Sequence, residues 1–252
     1  MATLGKDTTS RVPAPTAPDI ARQVLSSQSP TAADPPIRRL GSVDEVKLLI
    51  VTAVDAERDA VLKGLSVADV DVLSVGVGPA RAAAGTARLL ATREYDAVIN
   101  AGVAGALAGR AATGDIVLAT ASVSAELGVV DESGFTPLGA LGFGSNRFDA
   151  DPTLTAGVDG HRGEILTLAT ITGTAARADE LATAYPDAIA EAMEGFGVAT
   201  AADDAGIPFG EIRAISNAVG DRDVAGWDWE GGFAGLTLAA AALSRSLDRN
   251  GR

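Results

Sequence analysis

The sequence contains no cysteine and a single histidine, His161, among its 252 residues. The absence of cysteine excludes a disulfide scaffold, a thiolate metal site and a cysteine nucleophile. One histidine disfavours both a histidine-ligated metal site and a Ser-His-Asp triad, and we interpret His161 as a solvated loop residue. We therefore expect a catalytic site made of carboxylates, amides and backbone groups.

Basic residues and long apolar runs are also scarce. Lys and Arg total 20 against 33 Asp and Glu, a net charge of −13, and so acidic a fold repels the phosphate backbone of nucleic acids. No apolar run reaches the ~18 residues that cross a membrane, and the N-terminus lacks the apolar core of a signal peptide. We expect a cytoplasmic protein that binds neither nucleic acids nor membranes.

Residues 1–44 differ in composition from the rest of the chain. They hold six of the eleven prolines, with only a short, weakly helical pattern at Asp19–Leu25. This composition predicts a disordered leader. A transit peptide is the alternative, which Asp7 and Asp19 disfavour because such peptides avoid acidic residues. Residues 45–252 are predicted to form one folded domain.

The folded part alternates strand patterns with helix patterns, which predicts an α/β domain with helices on both faces of its sheet. A long helix is predicted at Asp187–Asp204 from the stripe of Ile189, Met193 and Phe196, and a loop at Ser124–Asp149. The other predicted segments are strands Val46–Ala53, Val70–Val75, Asp96–Asn100, Asp115–Ser122, Glu164–Ile171 and Gly210–Ser216, and helices Asp55–Gly64, Ala80–Ala91 and Phe233–Leu247.

Three segments rich in small residues follow predicted strands, namely Thr52–Glu57, Gly76–Pro79 and Ala101–Gly105. Ligands of open α/β sheets bind at the carboxyl ends of the strands, so these segments are candidate ligand-binding turns. Gly76-Val-Gly78 taken alone also fits a tight strand-to-helix turn, and it lacks the third glycine of a dinucleotide-binding motif.

Six segments in this order resemble the nucleoside phosphorylase and nucleosidase superfamily over about residues 46–247. The resemblance implies a three-layer α/β/α sandwich with a central mixed sheet, no metal or cofactor, and a homodimer or larger homo-oligomer. The segments are Lys47–Glu57, Gly76–Gly78, Asn100–Leu107, Thr113–Val117, Ala192–Gly195 and Arg213–Asn217.

Two further stretches, Ser124–Leu138 and Ser216–Asp223 with Trp227 close behind, resemble the futalosine hydrolase family of the alternative menaquinone pathway. That resemblance implies cleavage of the N-glycosidic bond of futalosine to hypoxanthine and dehypoxanthine futalosine. Three alternatives stay open: an adenine-releasing nucleosidase of the methylthioadenosine or aminofutalosine type, a purine nucleoside phosphorylase, and a non-catalytic nucleoside-binding protein. The phosphorylase is disfavoured because the family's Ser/Thr position is Val103, whose side chain cannot bind phosphate.

Cleavage of a purine–ribose bond develops positive charge on the sugar, so the site needs a base for water and a donor at the purine. The resemblance implies that Glu57 activates water. Its position, i+4 from Ala53, returns the side chain over the end of the strand. A solvated helix carboxylate is the alternative. Asn217 stands where adenine-releasing nucleosidases have Asp, and its amide can donate to N7 and to a 6-oxo group. Asp223, or else Asp221 or water, would then supply the proton.

Glu194 is the predicted acceptor for the ribose hydroxyls, and Met193 is predicted to pack on the sugar face. A pocket for the aryl carboxylate of futalosine needs an apolar surface and a cation. Arg222 is the candidate cation; an ion pair with a neighbouring Asp is its alternative role. Phe135 and Phe143 are the candidates for contact with the aryl ring. The remaining candidate substrate-binding residues are Gly78, Ala104, Gly105 and Thr172.

Overall fold

The computed structural model describes residues 47–67, 69–107 and 109–250. The predicted leader, residues 1–44 with the helical pattern at Asp19–Leu25, lies outside the described residues. The strands are β1 (Leu48–Thr52), β2 (Val70–Ser74), β3 (Ala97–Ala106), β4 (Ile116–Ser124), β5 (Gly128–Asp131), β6 (Gly134–Pro137), β7 (Arg147–Asp149), β8 (His161–Thr167), β9 (Ala188–Ala192) and β10 (Phe209–Ala218). The helices are α1 (Asp55–Gly64), α2 (Pro79–Thr92), α3 (Ala175–Ala184), α4 (Gly195–Ala205) and α5 (Trp229–Asn250).

Eight of these strands form one mixed sheet. Seven of them follow the order β10-β4-β8-β9-β3-β1-β2, and the eighth, β7, pairs with β4. Because β3 also pairs with β10, five strands close into a ring from which β1 and β2 extend. Strand β3 is parallel to β1 and to β10 and antiparallel to β9. Strands β1, β3 and β10 therefore run in the same direction; β3 and β10 end together, whereas β1 ends beside the first half of β3.

Helices cover both faces of the sheet, which confirms the predicted three-layer architecture. Alternate residues of β1 point to opposite faces, as the strand period requires. Leu48 and Ile50 pack with α1 and α5 on one face, whereas Leu49 and Val51 pack with α2 and α4 on the other. Strand β1 is buried throughout, which accounts for its nearly continuous apolar sequence.

The predicted helix Asp187–Asp204 is wrong in its first half. Residues Ala188–Ala192 form strand β9, which pairs with β3 and β8, and α4 begins only at Gly195. Alanine and glutamate favour helix locally, but small side chains also fit a strand enclosed between two others, and tertiary pairing overrides the local preference. Ile189 and Met193, two of the three residues on which the helix prediction was based, consequently lie outside the helix. Helix α3 was not predicted.

The predicted loop Ser124–Asp149 contains the antiparallel hairpin β5–β6 and the short strand β7. The tip of the hairpin is closed by Gly134, whose φ of +109° suits glycine. His161 is the first residue of β8 rather than a loop residue, although its side chain is half exposed and its Nε2 lies 3.1 Å from Asp115. Across the described part of the chain, no helix is both long and apolar enough to cross a membrane.

Candidate active site

Glu57, in the first turn of α1, lies past the carboxyl end of β1 and beside the middle of β3. Its side chain is 4% exposed, so it is not the solvated helix carboxylate of the alternative interpretation. Oε2 accepts hydrogen bonds from Ala53 N at 2.9 Å and Val54 N at 3.2 Å, and Oε1 accepts one from Val103 N at 2.9 Å. The predicted return of the side chain over the end of β1 is therefore present in the structure. Each carboxylate oxygen has about two acceptor positions, so Oε1 retains one for a further donor.

The surroundings of Glu57 change the pKa of its carboxyl group. Burial raises the pKa of the Glu57 carboxyl above its ordinary value, and the nearby Glu194 acts in the same direction. Arg213 and the backbone donors Val103 and Val54 oppose the shift. A carboxylate with a raised pKa is a stronger base than one in water, and it remains able to accept a proton near neutral pH.

Glu194 lies between β9 and α4, where it precedes the first residue of the helix. It is 4% exposed, so it is not a solvated carboxylate either. Its Oε1 accepts from Gly78 N at 3.1 Å, and its Oε2 accepts from both terminal nitrogens of Arg213 at 3.3 Å. Gly78 has φ +89°, a conformation in which its N–H reaches across to Glu194 and which other residues rarely adopt.

Arg213, on β10, is 1% exposed and joins the carboxylates together. Its Nε donates to Glu211 Oε1 at 2.9 Å, and Nη1 donates to Val103 O at 3.2 Å as well as to Glu194. Four of its five N–H groups thus have acceptors. Burial acts to lower the pKa of Arg213, but the three carboxylates outweigh it and raise that pKa, so the side chain stays a cation.

The sequence prediction did not assign roles to Arg213 and Glu211, although a signal was available. Both are charged residues inside the apolar strand β10, all of whose residues from Phe209 to Ser216 are buried. Unpaired buried charges are costly, so two charges at alternate positions of such a strand indicate a pair built into a site.

A glycine on β3 leaves the space that Arg213 and Glu57 occupy beside the strand. A Cβ at Gly102 would lie 2.6 Å from Arg213 Nη1 and 2.7 Å from Glu57 Oε1. Both distances are far shorter than van der Waals contact, so any larger residue would displace the guanidinium or the carboxylate. This requirement explains a glycine inside a strand, where it is otherwise unfavourable.

Asn217 follows the buried part of β10 and pairs with Gly105 in register. A Cβ on Gly105 would lie 3.1 Å from Asn217 Nδ2. The Asn217 amide accepts from Ser216 Oγ at 2.9 Å and donates to Ala218 O at 3.0 Å, so it does not cap a helix. Ala104 contributes its carbonyl, which accepts from Ser216 Oγ at 3.3 Å.

Thr172 is buried and contacts a carboxylate that the sequence prediction missed. Its backbone N donates to Glu191 Oε1 at 3.0 Å. Glu191 lies on β9 in register with Gly105, and burial raises the pKa of its carboxyl, against hydrogen bonds from Thr172. Glu191 thus anchors the segment after β8 to β9, opposite Gly105, the same β3 residue that pairs with Asn217.

The loop after β10 carries Arg222 and its acidic neighbours. The Arg222 backbone N donates to Gly173 O at 3.3 Å, and Asp221 Oδ1 accepts from Ala175 N at the start of α3 at 2.9 Å. Arg222 and Asp223 are exposed, and no ion pair joins Arg222 to either Asp among the residues placed. The roles of Arg222 and Asp223 toward a ligand stay predictions.

Five of the aromatic residues form two groups. Phe135 and Phe143 lie on and near the β5–β6 hairpin, about two-fifths exposed. Trp227, Trp229 and Phe233 follow one another as tilted ring pairs, with centroid distances of 5.1 and 6.4 Å. The Phe pair stays a prediction for the aryl ring. Met193, half-buried, directly precedes Glu194 and donates its backbone N to Glu194 Oε2 at 3.3 Å.

The site therefore combines three buried carboxylates, Glu57, Glu194 and Glu211, with one guanidinium, next to the carboxyl end of β1 and the middle parts of β3 and β10. Among the described residues, no group of three or more His, Cys, Asp or Glu side chains is arranged to hold a metal ion. Residues 49–243 match the family model of the phosphorylase superfamily. The chain belongs to this superfamily.

Within the superfamily, relatives and solved structures give a finer comparison. Futalosine hydrolase of Acidothermus cellulolyticus is 44% identical, over 82% of this chain and 93% of that protein. Futalosine hydrolase of Streptomyces coelicolor is 42% identical, over 80% of this chain and 96% of that protein. The crystal structure of a 5′-methylthioadenosine/S-adenosylhomocysteine nucleosidase from Colwellia psychrerythraea with adenine is 20% identical at a TM-score of 0.70, covering 82% and 96% of the two chains. This last likeness establishes the fold.

Proposed function

We propose that this protein is a futalosine hydrolase, which uses water to cleave the N-glycosidic bond and releases hypoxanthine and dehypoxanthine futalosine. The observation that carries the proposal is the cluster of three carboxylates around Arg213. Two relatives above 40% identity, both named futalosine hydrolase, support the substrate. We further expect the enzyme to act in the futalosine route to menaquinone, in the cytoplasm and as a homo-oligomer.

The charge of the cluster favours water over phosphate as the nucleophile. One guanidinium faces three carboxylates, and four of its N–H groups are already bonded to protein oxygens. An approaching phosphate would meet net negative charge and find one guanidinium N–H left to bind it. Water carries no charge, and the open acceptor position on Glu57 Oε1 suits it.

In the proposed reaction, Glu57 Oε1 accepts a proton from the attacking water as the sugar develops oxocarbenium character. Glu194 Oε1, which holds only the Gly78 N–H, accepts from a ribose hydroxyl, and the negative charge of the cluster stabilises the positive sugar. Asn217 donates from its amide to the departing purine. Asp223 is the proposed proton source for the base.

Asn217 also bears on the identity of the purine. Hypoxanthine presents an acceptor at position 6, whereas adenine presents a donor. An amide N–H pairs with the first and is mismatched with the second, and such mismatches discriminate strongly. The proposal therefore favours futalosine over aminodeoxyfutalosine and methylthioadenosine.

The test is incubation of the purified chain with futalosine, aminodeoxyfutalosine, inosine and methylthioadenosine, with and without phosphate, followed by mass spectrometry of the products. We expect hypoxanthine from futalosine at a rate independent of phosphate. Phosphate-dependent release would instead indicate a phosphorylase, preferred release of adenine an adenine nucleosidase, and inactivity on all four a binding protein.

A further inference from the structure

Glu211 is a fully buried carboxylate that the proposed reaction does not use directly. It lies on β10, and Oε1 accepts from Arg213 Nε at 2.9 Å and, at the long distance of 3.5 Å, from Asn100 Nδ2. Its Oε2 is buried and has no hydrogen-bond partner among the residues placed. A buried carboxylate in this state is costly, which calls for a role that offsets its cost.

The contact to Nε determines how Arg213 is oriented. The guanidinium is planar and rigid, so fixing its Nε–H also fixes the directions of the N–H groups on both terminal nitrogens. Those groups donate to Glu194 Oε2 at 3.3 Å and to Val103 O at 3.2 Å. The N–H of the same Val103 donates to Glu57 Oε1. The orientation set by Glu211 thus reaches both functional carboxylates.

The start of α4 is shaped to admit Glu211. A Cβ at Gly195 would lie 2.3 Å from Glu211 Oε2 and 2.4 Å from Ser122 Oγ. The backbone of the residue directly after Glu194 therefore rests on the Glu211 carboxylate. Through this packing, Glu211 also helps to fix the position of Glu194.

We propose that Glu211 is a positioning residue, which orients Arg213 so that Glu194 is held for the ribose hydroxyl. The inference rests on the proposed function. It requires an acceptor at the Glu211 position and a matching side-chain length. Glutamine meets both requirements, methionine keeps the length without a comparable acceptor, and aspartate keeps the charge but is one methylene too short.

The test compares Glu211→Gln, Glu211→Met and Glu211→Asp, using kcat/KM for futalosine and for 2′-deoxyfutalosine. In the wild type and Glu211→Gln, we expect the same preference for the ribo substrate, within about threefold. In Glu211→Met and Glu211→Asp, that preference should fall about tenfold or more, as it should in Glu194→Ala. Glu211→Met and Glu211→Asp are both used, so that one can be interpreted if the other fails to fold. Thermal melting shows whether each variant is folded.

A readout that needs no substrate is the ¹⁵N–¹H resonance of Arg213 Nε. We expect it to exchange slowly with water in the wild type and in Glu211→Gln, and to lose that protection in Glu211→Met. If all three variants kept the ribo preference while only their melting temperatures fell, Glu211 would be purely structural and the inference wrong. Failure of the wild type to cleave futalosine would instead overturn the proposed function, so the two failures are distinguishable.

Discussion

Replacement of Glu57 by glutamine perturbs two properties of the site at once. The native carboxylate accepts three backbone N–H groups, from Ala53, Val54 and Val103. A glutamine side chain has one oxygen, which can serve Ala53 and Val54 together. Its NH₂ group then faces the Val103 N–H, 2.9 Å from the former Oε1, where two donors oppose each other.

The cost in stability follows from that geometry. One buried N–H loses its acceptor, which costs about 1–3 kcal/mol and lowers the melting temperature of a domain of this size by roughly 2–10 °C. The effect on catalysis is larger. The NH₂ group occupies the position proposed to take the proton of water and cannot accept it, so kcat should fall about 10²–10⁴-fold.

The assay measures kcat for hypoxanthine release at a temperature below the melting transition of the variant. Asp59→Asn is the matched control, because Asp59 is an exposed carboxylate on the same helix that bonds to Arg58 at the surface. The control should retain kcat within about twofold. A Glu57→Gln protein that melts early yet turns over within about fivefold of wild type would refute the role of base and leave Glu57 as an anchor of the β1–α1 turn.

Four further predictions follow from the site. Because burial raises the pKa of Glu57 and only the ionised form acts as a base, kcat/KM should fall as pH drops through that raised pKa; a pH–rate profile with its acid limb at or below the ordinary glutamate range would contradict this. Gly102→Ala should abolish most activity, since its Cβ would lie 2.6 Å from Arg213 Nη1, whereas Gly173→Ala, with its nearest neighbour 3.7 Å away, should retain the fold and melting temperature; equal losses of melting temperature would argue against the close approach at Gly102. Asn217→Asp should weaken release of hypoxanthine and raise the relative rate on aminodeoxyfutalosine, and an unchanged ratio of rates would remove Asn217 from base recognition. Arg222→Ala should lower kcat/KM for futalosine much more than for inosine, and equal effects would indicate a structural role.

The sequence predicted the α/β class and the first strand, turn and helix of the site, because those features are local. The role of Glu57 came from the family resemblance, whereas the buried strand β1 and the turn after it are contiguous, so periodicity and spacing were sufficient to predict them. The same holds for α1, whose predicted bounds, Asp55–Gly64, are those observed. Features that depend on distant partners were less accessible.

The errors share one physical cause, which is tertiary pairing of segments with ambiguous local preference. The local sequence of Ala188–Ala192 favours a helix, but pairing with β3 and β8 makes it a strand. The β5–β6 hairpin pairs segments with exposed side chains, so no buried face marked it. Two charges within the buried strand β10 were a signal for Arg213 and Glu211, but their roles depend on Glu194 and Glu57, which come from distant parts of the chain.

The most direct test of the account is the fate of oxygen in a reaction with futalosine in H₂¹⁸O containing phosphate. Water activated by Glu57 attacks the anomeric carbon, so the account predicts one ¹⁸O atom in dehypoxanthine futalosine for each hypoxanthine released. The Glu57→Gln variant should give the same labelled product at a greatly reduced rate. A sugar 1-phosphate in place of the labelled product would contradict the account.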